Sequence, residues 1–277
     1  MIQPLTISEG LLVGANAPLL MIAGPCAIES REQLHRAARA VAGIRERLKS
    51  SIVFKASFDK ANRSRVHSFR GLGMETGLAL LREVREIWGF DLLTDVHEPC
   101  QCEYAASVCQ ILQIPAFLCR QTDLVLEAAR TGRTINVKKG QFLAPDEVAH
   151  ILEKIRSVSQ APVLITERGS FFGYHDLVVD FRSIPRMQQL GVPVIFDVTH
   201  SLQQPGARPE GAGGLRQYAE PLARAAVAAG ADGVFLEVHP DPDQALSDRE
   251  TQLSPEAAER LLASLVRLRQ TLLQFET

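Results

Sequence analysis

The chain of 277 residues lacks the short signatures of several common protein classes. It contains no C-x-x-C or H-E-x-x-H motif, so the compact zinc-binding patterns are absent. It contains neither a P-loop nor a G-x-G-x-x-G fingerprint, and Gly71 and Gly73 in RGLGMETG instead predict a turn that enters a helix. With 30 Lys and Arg residues against 32 Asp and Glu residues, the composition disfavours nucleic acid as a partner.

Long apolar runs and a disulfide framework are also missing. The most apolar N-terminal stretch, residues 11–24, is interrupted by Gly14, Asn16 and Pro18 and follows no basic segment. This composition argues against a signal peptide, a lipidated Cys26 or a membrane span. Five cysteines, an odd number, favour reduced thiols. We therefore expect a cytoplasmic protein without a membrane partner.

Eight short apolar or β-branched runs predict eight strands, and helical patterns separate most of them. The runs cover residues 19–24, 51–56, 91–96, 111–116, 134–139, 162–167, 193–198 and 233–238. This alternation is typical of parallel βαβ units, and eight units favour an α/β protein with a (β/α)8 TIM barrel over an open doubly wound sheet. We expect a single domain over residues 1–277, in which residues 1–18 are an N-terminal segment that caps the barrel floor.

Polar side chains follow almost every predicted strand, at the end where barrel enzymes place their active sites. Such groups are costly to bury, so their concentration beside apolar runs predicts a functional mouth. Asp95 and Asp197 have an alternative role, as helix caps or as partners of a neighbouring Lys. The strand-end positions include Cys26, Lys55, Asp95, His97, Gln113, Lys138, Arg168, Asp197, His200, Glu237 and His239.

The segment from Lys55 to Gly71, KASFDKANRSRVHSFRG, concentrates positive charge against a single acid, Asp59. Local charge of one sign attracts ligands of the other sign, although a solvated charge run is the alternative. A barrel would bring six cations to one mouth, more than one phosphate needs. They predict a ligand with two phosphates, or with a phosphate and a carboxylate. The six are Lys55, Lys60, Arg63, Arg120, Lys138 and Arg168.

A second set of residues, Cys26, His200, Glu237 and Asp248, lies at or beyond the ends of the first, seventh and eighth predicted strands. These strands are neighbours in a closed barrel. One thiolate, one imidazole and two carboxylates suit Zn²⁺, Fe²⁺, Mn²⁺ or Co²⁺ better than Ca²⁺ or Mg²⁺. Spacing alone leaves this metal site a hypothesis. Cys100 and Cys102 are a weaker candidate pair.

Nine motifs distributed over nearly the whole chain resemble the 3-deoxy-D-manno-octulosonate 8-phosphate synthase family. They are IAGPCAIES, FKASFDKANRS, TDVHE, QIPAFLCRQTD, NVKKGQF, TERG, FGYHDLVVD, FDVTHSLQ and HPDPDQALSD. The resemblance implies a barrel enzyme, usually tetrameric, that condenses phosphoenolpyruvate with D-arabinose 5-phosphate and water. Its product would serve the inner core of lipopolysaccharide. The related 3-deoxy-heptulosonate 7-phosphate synthases, which use erythrose 4-phosphate, are the alternative; they carry a KPRTS-like sequence where this chain has KANRS (60–64).

The resemblance also implies a role for each matched residue. Lys138 and Arg168 would hold the phosphate of phosphoenolpyruvate, while Phe117 and Arg120 would reach the site of a neighbouring subunit in a homotetramer. Arg65, His67 and Arg70 receive no role. The other substrate-binding positions are Lys55, Ser57, Lys60, Asn62, Arg63, Ser64, Gln113, Pro115 and Ala116. The candidate catalytic residues are Lys60, Lys138, His200 and Asp248.

Metal dependence in this family follows largely from Cys or Asn at the position of Cys26. The Cys in this chain, with His200, Glu237 and Asp248 at the other ligand positions, implies a divalent metal ion, namely Zn, Fe, Mn or Co. One departure from the family is the loop QQPGARPEGAGG (203–214). A Schiff-base aldolase acting through Lys138 or Lys55 and a non-catalytic sugar-phosphate binder are the rival hypotheses.

Overall fold

The computed structural model of the chain describes residues 4–63, 65–208 and 211–275. Eight parallel strands close into a barrel, in the spatial order β11, β14, β3, β4, β5, β6, β7, β8. The (β/α)8 fold predicted from the sequence is therefore confirmed. The strands are β1 (Leu5–Ser8), β2 (Leu11–Val13), β3 (Leu20–Gly24), β4 (Ile52–Lys55), β5 (Leu92–Asp95), β6 (Ile111–Ile114), β7 (Thr134–Lys138), β8 (Val163–Glu167), β9 (Ser170–Phe171), β10 (Leu177–Val178), β11 (Val194–Asp197), β12 (Gln203–Arg208), β13 (Gly211–Gly214) and β14 (Gly233–Glu237).

Eight helices accompany the strands in the described part of the chain. Two of them, α3 and α6, have only five and six residues and escape the sequence prediction, because such segments are too short for a helical period to emerge. The helices are α1 (Arg31–Leu48), α2 (Met74–Trp88), α3 (Cys102–Ala106), α4 (Thr122–Arg130), α5 (Val148–Arg156), α6 (Ser183–Gln188), α7 (Ala219–Ala228) and α8 (Pro255–Leu273). None of these helices is both long and apolar enough to cross a membrane.

Every residue of the eight barrel strands is buried, because successive side chains point alternately into the barrel and toward the helices. The two faces form two separate apolar cores. The larger core lies between the strands and the helices. The inner core fills the barrel with Leu20, Ile22, Val53, Leu93, Ile111, Leu164, Ile195 and Phe235.

The hairpin of β1 and β2 lies at the amino end of the barrel. Its apolar side chains, Ile7, Leu11 and Val13, join the inner core. Ser8 Oγ donates a hydrogen bond to Asp91 (2.7 Å), and Thr134 Oγ1 donates one to the Ile7 carbonyl (2.8 Å). Because this end is filled, open space for a ligand remains at the carboxyl end of the strands.

Replacement of a helix glycine by alanine should have opposite effects on stability at Gly77 and at Gly43. A Cβ added to Gly77 would lie 2.4 Å from Phe58 Cβ, whereas one added to Gly43 would meet only the end of the long, adjustable Arg47 side chain, at 3.0 Å. We expect Gly77→Ala to lower the free energy of unfolding by about 1–3 kcal/mol through overpacking. Gly43→Ala should raise it by about 0.5–1 kcal/mol because Ala favours the helix. Urea denaturation followed by circular dichroism measures both, and equal shifts would contradict the packing of α2 on Phe58.

Candidate active site

A cleft of about 360 Å³ opens at the carboxyl end of the barrel strands. It brings together most of the residues predicted to bind substrate, and His200 and Asp248 join them. Lys55 and Ser57 are wholly buried and do not line it. Ser64 lies outside the described residues. The predicted residues that line the cleft are Lys60, Asn62, Arg63, Gln113, Pro115, Ala116, Phe117, Lys138, Arg168, His200 and Asp248.

Arg120 departs from the expectation that all six cations meet at one mouth. It borders a separate cavity of about 180 Å³, together with His150 and Lys154. Its backbone carbonyl accepts a hydrogen bond from Lys154 Nζ (3.1 Å). Arg120 therefore does not reach the cleft of its own chain.

The four predicted metal ligands converge at the cleft, which His200 and Asp248 line. Donor atoms of Cys26, Glu237 and Asp248 lie within 4.8 Å of one another, and Cys26 Sγ is 3.0 Å from Asp248 Oδ2. His200 Nε2 lies 3.5 Å from Glu237 Oε1 and 3.9 Å from Asp248 Oδ2. These residues come from the ends of β3, β11 and β14 and from the loop beyond β14, as the order of strands in the barrel predicts.

Three observations show that this donor set fits a divalent cation. Glu237 Oε2 is buried without a hydrogen-bond partner among the described residues. His200 Nδ1 is 2.9 Å from Asp197 Oδ2, which leaves Nε2 as the free ring nitrogen, an arrangement typical of metal-binding histidines. Asp248 has a left-handed backbone with φ of 49°, an uncommon conformation that clusters at functional sites.

Cys26 and Glu237, two members of this donor set, differ in protonation. Burial raises the pKa of the Cys26 thiol well above its usual value, and Asp248 and Glu237 raise it further. Burial also opposes ionisation of Glu237, but His200, Lys55 and Lys60 outweigh it and lower the pKa of Glu237 to about 2. Cys26 is thus a protonated thiol beside a carboxylate, and coordination by sulfur would release its proton.

Lysine–carboxylate pairs support both sides of the site. Lys55 Nζ lies 2.8 Å from Glu237 Oε1 and 2.8 Å from the Cys26 carbonyl. Lys138 Nζ donates a hydrogen bond to Asp197 and stands 3.1 Å from the centre of the Phe235 ring. Burial lowers the pKa of Lys138 to about 8, although Asp197 opposes the shift. Lys138 is therefore a cation that deprotonates close to physiological pH.

The basic segment forms a loop closed at its neck by Asp59 and Arg70. The Arg70 guanidinium donates two hydrogen bonds to the Asp59 carboxylate. The backbone carbonyl of Arg70 accepts a hydrogen bond from the backbone N–H of Lys60 (2.6 Å). Arg63 donates hydrogen bonds to the Phe69 carbonyl (2.9 Å) and to Ser247 Oγ (2.8 Å). Arg70, which had no role from the sequence, is thus a loop anchor, and Arg63 lies beside the four candidate metal ligands.

Asp95 lies at the centre of a buried polar network that the sequence indicates only through its strand-end position. It accepts hydrogen bonds from Ser57 Oγ and Gln113 Nε2, and Lys60 Nζ lies 3.5 Å from it. Asn136 Nδ2 donates in turn to Gln113 Oε1 (2.8 Å). Burial would raise the pKa of Asp95, but Lys60 and Lys55 hold it well below its usual range. Asp95 is therefore an anion that orients Gln113 and Lys60.

Gln203 is a residue of the cleft that sequence reasoning missed. Its Oε1 accepts a hydrogen bond from Arg168 (2.7 Å), and its Nε2 donates one to Asp248 Oδ1 (2.9 Å). One amide thus connects a cation of the cleft with a candidate metal ligand. A single Gln carries no local signal, since its two partners are distant in the sequence.

The other cysteines take no part in this cluster. Cys100 is exposed with its sulfur 3.7 Å from a Glu98 carboxylate oxygen, and Cys102 is buried with its sulfur 3.8 Å from the Glu98 carbonyl. Cys109 and Cys119 are buried free thiols. Among the described residues, one group of three donors lies close enough together to hold a metal ion, and Cys26 is its only cysteine.

Comparison with known proteins is consistent with this site. The model of the DAHP synthetase I family matches residues 3–274. The chain belongs to the DAHP synthetase I family. Similar proteins named 2-dehydro-3-deoxyphosphooctonate aldolase include those of Desulfosudis oleivorans (54% identical over 265 residues, 95% of each chain), Desulfatibacillum aliphaticivorans (50% over 269 residues, 97% of this chain and 98% of the relative) and Cyanothece sp. (49% over 266 residues, 96% and 97%). These names belong to octulosonate phosphate synthases, so the resemblance predicted from the motifs is confirmed.

The lowered pKa of Lys138 predicts how this member of the DAHP synthetase I family binds anions. Sulfate keeps its charge across neutral and alkaline pH, so its affinity reports on the protein. Because Lys138 is a cation only below its pKa of about 8, sulfate binding should weaken above that pH. The dissociation constant should rise by up to about tenfold per pH unit. Isothermal titration calorimetry measures it, and Lys138→Arg, which stays charged, should remove this pH dependence. An equal dependence in both proteins would rule out Lys138 as its source.

Proposed function

We propose that the chain condenses phosphoenolpyruvate with D-arabinose 5-phosphate and water to give 3-deoxy-D-manno-octulosonate 8-phosphate and inorganic phosphate. The observation that carries the proposal is a cleft with two separate groups of cations beside one cluster of thiol, imidazole and carboxylates. Two phosphates and a carboxylate require such a division. The names of the similar proteins support the same reaction.

The donor substrate would lie on the side of the cleft formed by β6, β7 and β8. Lys138 and Arg168 would hold its phosphate, assisted by the backbone at Pro115 and Ala116. Lys60 and Gln113 would face its carboxylate, with Lys55 and Ser57 supporting them from below. Asp95 favours this arrangement because it fixes both Gln113 and Lys60.

The sugar phosphate would lie along the KANRS loop. Asn62 and Arg63 line the cleft next to the metal-ligand cluster and would bind its hydroxyls and phosphate. Ser64, outside the described residues, receives the same role from the resemblance alone. Phe117 is 48% exposed although it lines the cleft, and Arg120 is exposed outside it. Both fit residues that a homotetramer would bring to the cleft of a neighbouring subunit.

In the reaction, C3 of phosphoenolpyruvate forms a bond to the aldehyde carbon of the sugar while water adds at C2. The resulting hemiketal phosphate loses inorganic phosphate by cleavage of its C–O bond. Burial would lower the pKa of Lys60, but the carboxylates Asp95 and Glu237 hold it well above its usual value, so Lys60 Nζ keeps its proton. It can donate a hydrogen bond to the aldehyde oxygen as negative charge develops there.

We propose that Cys26, His200, Glu237 and Asp248 hold one divalent ion of Zn, Fe, Mn or Co. A bound ion would orient the aldehyde or the attacking water, or lower the pKa of that water. Lys55 and Asp197 would support the ligands, because Lys55 contacts Glu237 and Asp197 contacts His200. The reaction would take place in the cytoplasm, where the five free thiols are stable, and its product would serve the inner core of lipopolysaccharide.

A Schiff-base aldolase is less compatible with the site, since Lys55 and Lys138 are both engaged by carboxylates. An imine would require one of them to leave its partner and attack as the free amine. Borohydride treatment with pyruvate or a sugar phosphate would trap such an imine, and we expect no adduct. A non-catalytic binder would hold the sugar phosphate without releasing inorganic phosphate.

Release of inorganic phosphate tests the proposed reaction. The purified protein with phosphoenolpyruvate and arabinose 5-phosphate should release phosphate continuously, because its KANRS sequence resembles that of the enzymes that use this sugar. A reaction without an aldose is the control. Erythrose 4-phosphate, the shorter aldose, should support little turnover. Turnover with erythrose 4-phosphate alone would refute the assignment.

Metal content tests the ligand cluster. Cys26→Ala should lower the metal that co-purifies, because it removes the sulfur donor, and it should lower activity in parallel. Cys109→Ala is the matched control, since Cys109 is also a fully buried free thiol but lies away from the cluster. Elemental analysis by mass spectrometry measures the metal. Wild-type metal content in Cys26→Ala, or full activity after exhaustive chelation, would contradict the proposal.

A further inference from the structure

Two adjacent pairs of charged residues end neighbouring strands of the barrel. Lys138 and Lys139 follow one another at the end of β7, and Glu167 and Arg168 at the end of β8. Because successive side chains of a strand point to opposite faces, the two side chains of each pair point in opposite directions. Lys138 and Arg168 line the cleft, whereas Lys139 and Glu167 do not. The proposed mechanism gives the second two no role.

Lys139 and Glu167 form an ion pair that is excluded from water. Their side chains are 1% and 2% exposed, and Lys139 Nζ lies 3.5 Å from Glu167 Oε1. The same ammonium is 3.3 Å from the carbonyls of Gly140 and Leu143. The three donors of a lysine ammonium are thereby matched by three acceptors.

The contacts of this pair fix the backbone on both sides of the cleft cations. Glu167 Oε1 also accepts the backbone N–H of Gly169 (2.6 Å), which holds the turn directly after Arg168. Gly169 has φ of 87°, the left-handed conformation that favours glycine. On the other strand, Lys139 N–H donates to the Thr166 carbonyl (2.8 Å) and its ammonium holds the turn over residues 140–143. Lys138 and Arg168 are therefore each next in the chain to a residue of the ion pair.

Such support is needed because Lys138 and Arg168 have the same charge. Two cations that face one cleft repel each other, and here Asp197, which attracts both, offsets part of that repulsion. Neither is held by a side chain of the other strand, since Lys138 bonds Asp197 of β11 and Arg168 bonds Gln203 and the His200 carbonyl. The outward ion pair links the two strand ends by side chains, in addition to the hydrogen bond that Thr166 Oγ1 donates to Asn136 Oδ1 (2.7 Å) within the barrel.

We propose that Lys139 and Glu167 are positioning residues that set the spacing of Lys138 and Arg168 for one phosphate group. The inference rests on the proposed function, in which this group is the phosphate of phosphoenolpyruvate. Neither residue touches the substrate. Their effect would appear in affinity for phosphoenolpyruvate more than in affinity for the sugar phosphate.

The variant Glu167→Gln tests the pair, because Gln removes the charge and keeps an oxygen that can accept from Gly169. We expect KM for phosphoenolpyruvate to rise by about tenfold or more, the usual effect of a lost charged hydrogen bond. KM for arabinose 5-phosphate should stay close to the wild-type value. Asp232→Asn is the matched control: Asp232 is a buried carboxylate at the opposite end of the barrel, bonded to Gln188 and the Val194 N–H. It should lower Tm without changing either KM.

A double variant separates positioning from stability. Lys139→Met with Glu167→Gln leaves no unpaired charge in the interior, so it should fold even where the single variant does not. KM for phosphoenolpyruvate should remain raised in it. Wild-type KM in a folded variant, with only Tm lowered, would show that the pair is merely structural and overturn the inference.

Sulfate binding by calorimetry provides a readout that does not depend on turnover. Sulfate should bind Glu167→Gln about tenfold or more weakly than it binds the wild-type protein. If the wild-type protein does not use phosphoenolpyruvate at all, the proposed function fails, and the sulfate comparison still decides whether the pair positions an anion site. Equal sulfate affinities would overturn the inference.

Discussion

Burial of paired charge at one end of the barrel is the constraint on which the site depends. Three lysine–carboxylate pairs, Lys55–Glu237, Lys138–Asp197 and Lys139–Glu167, are almost completely excluded from water. Loss of one member of such a pair typically costs about 3–5 kcal/mol, because its partner stays charged in the interior. An apolar barrel can hold this many ionised groups only because each has a partner. Stability and function therefore depend on the same side chains.

These pairs are arranged so that charge reaches the ligand from several strands. Asp197 contacts both Lys138 and His200, and so joins the proposed phosphate site to the metal-ligand cluster. Gln203 makes a second connection, between Arg168 and Asp248. A change at either site alters the electrostatics of the other. The filled amino end of the barrel cannot share this role, since its core is apolar and closed by the hairpin.

The sequence predicts the barrel and most of the cleft because both depend on local patterns. Apolar runs mark the eight strands, and a polar residue at a strand end faces the mouth where its side chain points into the barrel, as Lys138 does and Lys139 does not. Pairing is different: Lys55 and Glu237 are far apart in the chain, and only the closure of the sheet brings them together. The same holds for Gln203, whose position follows from tertiary structure. Arg120 shows the converse limit, because a cation in a strand-end loop need not point into the cleft of its own chain.

The charged residues that line the cleft nearly balance one another. Its four cations, Lys60, Arg63, Lys138 and Arg168, face the carboxylates Asp95, Asp197 and Asp248, which leaves little net positive charge. Phosphoenolpyruvate and a sugar phosphate would together bring a charge of about −4 to −5, since each phosphate carries about −1.5 to −2 and the carboxylate adds one. A divalent ion at the cluster and an Arg120 from a neighbouring subunit would each offset part of this charge. The proposed ion and the proposed neighbouring subunit would thus both place positive charge where these substrates bring negative charge.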